Sequence, residues 1–162
     1  MTELTELSER LAKSLLARGK QLAVAESCTG GWLAKCLTDI SGSSGWFERG
    51  FVTYSNDAKR EMLGVDAATL ADYGAVSEAV VREMAQGVLS HSPADIAVAI
   101  SGIAGPDGGS PGKPVGTVCF AFAERGGDVL ATTCHFKGDR EAVRRSAVHY
   151  ALSQLVQLCS DG

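Results

Sequence analysis

Along the first twenty positions, leucines fall at 4, 7, 11 and 15, with Leu16 beside them, and Gly19 follows. Apolar residues three and four apart mark one face of a helix, and a glycine after them is a C-cap signal. The pattern then changes to a short apolar run, LAVAE (22–26), ending in SCTGG. A second helix is expected from about Trp32 to Ile40. In GSSGWFERGFVTYS (42–55), a turn leads into a strand with Phe51, Val52 and Tyr54 as β-formers. NDAKREMLG (56–64), with Asn56 as cap, and DAATLADYG (66–74) read as two short helices. Ser77 is placed to cap a longer helix to about Leu89, with Val80, Val81, Met84 and Val88 on one face.

The second half alternates less and is more continuously apolar. DIAVAIS (95–101) has the pattern of a strand buried on both faces. It runs into GIAGPDGGSPGKP, the largest irregular stretch. VGTVCFAFAE (115–124) and DVLATTCHF (128–136) flank Arg125-Gly126-Gly127, a hairpin turn signal. A last helix is expected from near Asp139 to about Leu158, with Val148, Ala151, Leu152 and Leu155 as its stripe. The order predicts an α/β fold: a three-layer α/β/α sandwich with a mixed, mainly parallel sheet. No repeat or linker interrupts it, so residues 1–162 are read as one domain.

Composition narrows the partners. With 15 basic and 19 acidic residues, net charge −4 and no basic block, the chain lacks the footprint of a nucleic-acid binder. Five cysteines, without any C-x-x-C pair, predict reduced thiols rather than a disulfide framework or a zinc site. The N-terminus carries charge throughout, and no apolar run approaches the roughly 20 residues that span a bilayer. A soluble, cytoplasmic protein without a membrane partner is therefore expected.

Two loops follow apolar strands, SCTGG (27–31) and SGIAGPDGGSPG (101–112). Open α/β sheets bind ligands beyond the carboxyl ends of their strands, so parallel neighbours would bring both loops to one rim. Ser27 stands at a strand-to-helix junction, the placement of a hydrolase nucleophile, although G-x-S-x-G is absent. Thr29, Gly30 and Gly31 follow, where unpaired amides can hold an anion or an oxyanion. The alternative is that Ser27 and Thr29 simply cap the helix. The second loop has neither a G-x-G-x-x-G nor a Walker pattern; it reads as a close approach to a ligand or as an ordinary long connection. His91, His135 and His149 all lie outside the glycine-rich loops. The remaining base is Lys59 of YSNDAK, which must be neutral to act and is otherwise a solvated surface residue. Arg140 and Arg144 open the last helix, where one of them could grip a phosphate or both could be solvated.

Taken together, AESCTGG (25–31), SGWFERGFVTYSNDAK (44–59), GAVSE (74–78), SGIAGPDGG (101–109), KPVGTV (113–118) and FKGDR (136–140) resemble the CinA C-terminal domain family. Its single-domain members are nicotinamide-nucleotide amidohydrolases. The resemblance implies hydrolysis of nicotinamide mononucleotide to nicotinic acid mononucleotide and ammonia, without metal or cofactor. It implies Ser27 as nucleophile, Lys59 as its base and Tyr54 as the third member. Substrate contacts are expected from Thr29, Gly30, Gly31, Ser101, Gly102, Ile103, Ala104 and Gly105, with Arg140 assigned to the phosphate. Longer relatives carry an additional N-terminal domain, so only the amidohydrolase activity carries over. A homodimer is expected by analogy and base rate. Rival readings are a Cys28 hydrolase, a pyridine-nucleotide-binding regulatory module without turnover, and a purely structural interaction domain.

Overall fold

The computed structural model describes residues 2–160. Helix α1 (Glu3–Arg18) is capped by the Thr2 side chain and closed by Gly19 in the left-handed region. Then come β1 (Leu22–Glu26), α2 (Trp32–Thr38), a 3₁₀ turn (Ser43–Gly45) and β2 (Phe47–Val52). Three helices follow, α3 (Asn56–Leu63), α4 (Ala67–Tyr73) and α5 (Glu78–Ser90). β3 (Ile96–Gly102), β4 (Thr117–Glu124), β5 (Val129–His135) and α6 (Arg140–Ser160) complete the chain. Ser77 caps α5 as expected, whereas α3 is capped by Ser55 rather than Asn56. Tyr54 lies past the end of β2, and α2 stops two residues before Ile40.

The five strands form one sheet in the order β2-β1-β3-β4-β5. β1 runs parallel to both β2 and β3, while β3–β4 and β4–β5 are antiparallel. The sheet is therefore mixed but not mainly parallel, contrary to the expectation from element order. The cause is local. A parallel return requires a crossover, usually a helix. The segment between β3 and β4 contains no helix, and the tight turn at 125–128 makes β4 and β5 a hairpin.

The two faces of the sheet bury different side chains. Leu22, Val24, Val98, Ile100, Val118, Phe120 and Phe122 pack with α1, α2 and α6. Their neighbours on the other face are Ala23, Ala25, Ala97, Ala99, Cys119, Ala121 and Ala123, packed with α5 and the ends of α3 and α4. A small-residue floor lets α5 seat close to the sheet, and its Val80, Val81, Met84 and Val88 fill the gap. This gives the three layers that the order of elements predicts. Among the described residues, no helix is long and apolar enough to cross a membrane.

Where α5 crosses α3, Gly87 has no room for a side chain: an added Cβ would stand 2.1 Å from the Leu63 carbonyl oxygen. Alanine is the better helix former by about 1 kcal/mol, yet a backbone clash outweighs that. Gly87→Ala is expected to lower unfolding stability by about 2 kcal/mol, measured by urea denaturation. An unchanged midpoint would show that α3 and α5 can part at no cost.

Candidate active site

The parallel half of the sheet assembles the site. β1 lies between β2 and β3, and its pairing continues past the strand ends: Ser27 N–H donates to Ile100 O at 3.0 Å, and Thr53 N–H to Glu26 O at 2.9 Å. Ser27, Thr53 and Ser101 thus emerge side by side at one rim, as the strand-end argument requires. A cavity of about 240 Å3 opens there. Ser27, Cys28, Tyr54, Asn56, Lys59, Ala75, Val76, Ser101, Gly102, Ala104 and Arg140 line it.

At the cavity wall Lys59 Nζ stands 3.1 Å from Ser27 Oγ. Lys59 projects from α3, held by the Ser55 cap, and is 1% exposed. Its nitrogen also donates to the carbonyls of Thr53 at 3.0 Å and Tyr54 at 3.1 Å. Among the described residues no carboxylate forms an ion pair with it. Burial therefore pushes the amine below its ordinary range, opposed only by Cys28 nearby. Its three partners, two carbonyls and one hydroxyl, are all uncharged, and Lys59 Nζ donates to each of them while Ser27 Oγ lies 3.4 Å from Tyr54 O.

Cys28 borders the same cavity, but burial pushes its thiol up to about 11. The raised value keeps the thiol protonated, and the Lys59 amine contacts Ser27 Oγ. The histidines are engaged elsewhere: His149 with Glu3, His91 with Gly87 O and His135 with Thr117.

The remaining expected residues separate into two groups. Ser101, Gly102 and Ala104 line the cavity, and Gly105 O accepts from Arg140 Nη1 at 2.8 Å. Arg140 Nη2 is 3.4 Å from the Tyr54 hydroxyl, so the two side chains meet at the cavity mouth. Tyr54 reaches Ser27 and Lys59 through its carbonyl, while its side chain is largely exposed. Ile103 is not among the lining residues; its N–H donates to Thr117 O at 2.8 Å. Thr29, Gly30 and Gly31 border a separate cleft.

Glu26 escaped the reading of the sequence. It is 1% exposed, and its carboxylate accepts from Leu33 N–H at 2.9 Å and Ala34 N–H at 3.0 Å. These are first-turn amides of α2, whose N-cap, Gly31, offers no side chain. Glu26 performs the capping that had been the alternative role for Ser27 and Thr29, and the serine hydroxyl meets Lys59 instead. The only signal was an acidic residue ending an apolar strand, seven positions before its partner. Ala75 and Val76 were not singled out, and Asn56 only as a helix cap, because only the packing of α3 and the α4–α5 turn brings them to the cavity.

A wider groove of about 480 Å3 lies at the opposite rim, between Arg18, Phe122, Arg125, Leu130 and Cys159. It is remote from Ser27 and Lys59, neither of which lines it.

Glu26→Ala strips two buried amides of a charged acceptor. It is expected to cost about 3 kcal/mol in urea unfolding. Glu26→Gln, which keeps one acceptor oxygen, is expected to fall between the two. Equal stability of all three proteins would refute the capping role.

Comparison with known proteins places these residues in context. The CinA C-terminal domain matches residues 4–159. The nicotinamide-nucleotide amidohydrolase of Escherichia coli K12 is 62% identical over 156 residues, 96% of this chain and 94% of its own. That of Pseudomonas putida is 50% identical, covering 98% of both chains. The crystal structure of a competence/damage inducible protein from Agrobacterium tumefaciens superposes with a TM-score of 0.94 at 46% identity, over 98% of this chain and 96% of the other. A CinA superfamily protein from Klebsiella pneumoniae gives 0.95 at 46% identity, over 99% and 100%.

Proposed function

The chain belongs to the CinA C-terminal domain family, and on that premise we propose that it is a nicotinamide-nucleotide amidohydrolase. Its reaction converts nicotinamide mononucleotide to nicotinic acid mononucleotide and ammonia through an acyl-enzyme on Ser27. The support for the reaction is the likeness to amidohydrolases over nearly the whole chain. The observation that carries the mechanism is the 3.1 Å contact between Ser27 Oγ and a buried amine that has no carboxylate partner among the described residues.

An amide has a poor leaving group and needs both a base and an acid. Neutral Lys59 takes the Ser27 proton as Oγ attacks the carboxamide carbon. The cation so formed is held by the Thr53 and Tyr54 carbonyls, already within 3.0 and 3.1 Å. It then returns the proton to the departing nitrogen, and ammonia leaves an ester on Ser27. Water, deprotonated by the same amine, cleaves the ester to the carboxylate and restores the serine. The developing oxyanion falls against the backbone at Gly102 and Ala104, where preorganised dipoles act without reorganisation. Tyr54 enters the chemistry through its carbonyl. Its hydroxyl and Arg140 meet at the cavity mouth, where the ribose end of the substrate leaves the pocket. Ser101 is positioned to contact the carboxamide.

The decisive assay is ammonia release from nicotinamide mononucleotide. Ser27→Ala is expected to lower kcat by about three decades or more, as with other nucleophile deletions. Near-normal turnover would sink the assignment.

The pH profile has a definite sign. Protonation removes the lone pair that accepts from Ser27, so the charged form is inactive. kcat/KM should rise with pH as Lys59 loses its proton, at a pH below that of an ordinary lysine because burial lowers its pKa. A profile independent of pH through and above neutrality would exclude neutral Lys59 as the base.

A further inference from the structure

The nucleophile loop has a second side. Beyond it, away from the catalytic cavity, lies a cleft of about 480 Å3 lined by Thr29, Gly30, Gly31, Trp32, Lys35 and Arg144. None of these six lines the Ser27 cavity. The two spaces share one thin wall: Cys28 borders the cavity, while its carbonyl accepts from Arg144 Nε at 3.0 Å.

Three observations give this cleft its chemistry. Arg144 is half-buried, reaches Thr29 O through Nη2 at 3.3 Å, and stands 5.8 Å from the Trp32 ring centre. Among the described residues no carboxylate pairs with it. Those contacts engage Nε and Nη2 and leave further N–H donors of the guanidinium unspent. A guanidinium fixed in place with donors to spare is suited to an oxyanion.

The second observation is Thr29, which is fully buried and whose hydroxyl has no hydrogen-bond partner. Such a group is costly to leave unpaired and calls for an explanation. The third is the turn itself. Gly30 and Gly31 adopt φ of +59° and +102°, and a Cβ on Gly30 would sit 3.3 Å from Arg144 Nη2. Glycine keeps the approach to the guanidinium open. Lys35 adds a second cation. Its pair with Asp39 is exposed on both sides, the kind worth little and easily exchanged.

These donors come from three separate elements, the loop, α2 and α6. A carboxylate offers two coplanar oxygens, whereas a phosphate offers three acceptors in a tetrahedral arrangement and up to two charges. We propose that this cleft binds a phosphate group, gripped by Arg144 and Lys35 against the Thr29–Gly31 turn. Because Arg144 also holds the Cys28 and Thr29 carbonyls, occupancy steadies the loop that carries Ser27. The phosphate belongs either to the substrate or to a second phosphorylated molecule, and the two sources present the same group. Binding at this cleft does not depend on the activity proposed above.

Trp32 reports occupancy without turnover. Orthophosphate is titrated into the intact protein while tryptophan fluorescence is followed; the other tryptophan, Trp46, is buried in the core. A saturable change is expected that weakens at high salt, at least tenfold in Arg144→Gln and a few-fold in Lys35→Gln, and that survives in Arg140→Gln. No saturable change, or one unaffected by Arg144→Gln, overturns the proposal. So does a change abolished by Arg140→Gln, which would place the phosphate in the catalytic cavity. If Arg144→Gln melts too low to use, the exposed Lys35 decides, and unaltered affinity in Lys35→Gln overturns the site. Kinetics then separate the sources. If the group is the substrate's own, orthophosphate competes with substrate and Lys35→Gln raises KM with kcat little changed. If it belongs to a second molecule, orthophosphate alters kcat at saturating substrate in the wild type but not in Arg144→Gln.

Discussion

Among the described residues no carboxylate pairs with the buried Lys59 amine, and the surrounding structure is arranged to tolerate it. Desolvation disfavours the ammonium form, and a neighbouring acid would have restored it. The protein supplies uncharged partners instead, two carbonyls and a hydroxyl. Those carbonyls belong to Thr53 and Tyr54, and they stand where they do because the parallel ladder runs on past β2 through Thr53 N–H to Glu26 O. The same ladder, on the other edge of β1, holds Ser27 to Ile100. Sheet pairing and the geometry of the Ser27–Lys59 contact thus depend on one set of hydrogen bonds.

Glu26 shows how the acid was kept away from the amine. It is adjacent in sequence to Ser27, and alternation along the strand sends its carboxylate to the other side, into the first turn of α2. There it meets backbone donors at the positive end of a helix, a suitable site for a buried carboxylate. Its neighbour, the serine, meets the lysine. A one-residue slip of β1 would exchange these two environments. The register of β1 between β2 and β3 is therefore as much a determinant of the site as any side chain in it.

The sequence was most legible where local chemistry decides. The α1 stripe and its Gly19 cap, the Ser77 cap of α5 and the hairpin turn at Arg125-Gly126-Gly127 each depend on a few adjacent residues, and each is found where expected. Sheet direction was less legible, because it turned on whether the long segment after β3 returns without a helix, and composition does not say. The site followed the same division. The loops after β1 and β3 announce a rim, but Ser27 and Lys59 are 32 residues apart, and spacing alone does not join them. The resemblance to a family did that. Glu26, Asn56 and Val76 were opaque for a related reason: their roles exist only once strand register and helix packing are set.

The two faces of the sheet leave different room for change. On the α1–α6 side, large side chains interlock, so trimming Phe120 or Ile100 opens a void that the surroundings can only partly fill. On the α5 side the floor is alanine, with nothing to trim, and any added methyl group presses directly on a helix. Sequence drift should therefore be size-asymmetric: one face tolerates exchange among bulky residues, while the other accepts almost nothing larger than what it has. Because α5 begins just after Ala75 and Val76, a swelling of that floor would be felt at the cavity wall before it was felt as unfolding.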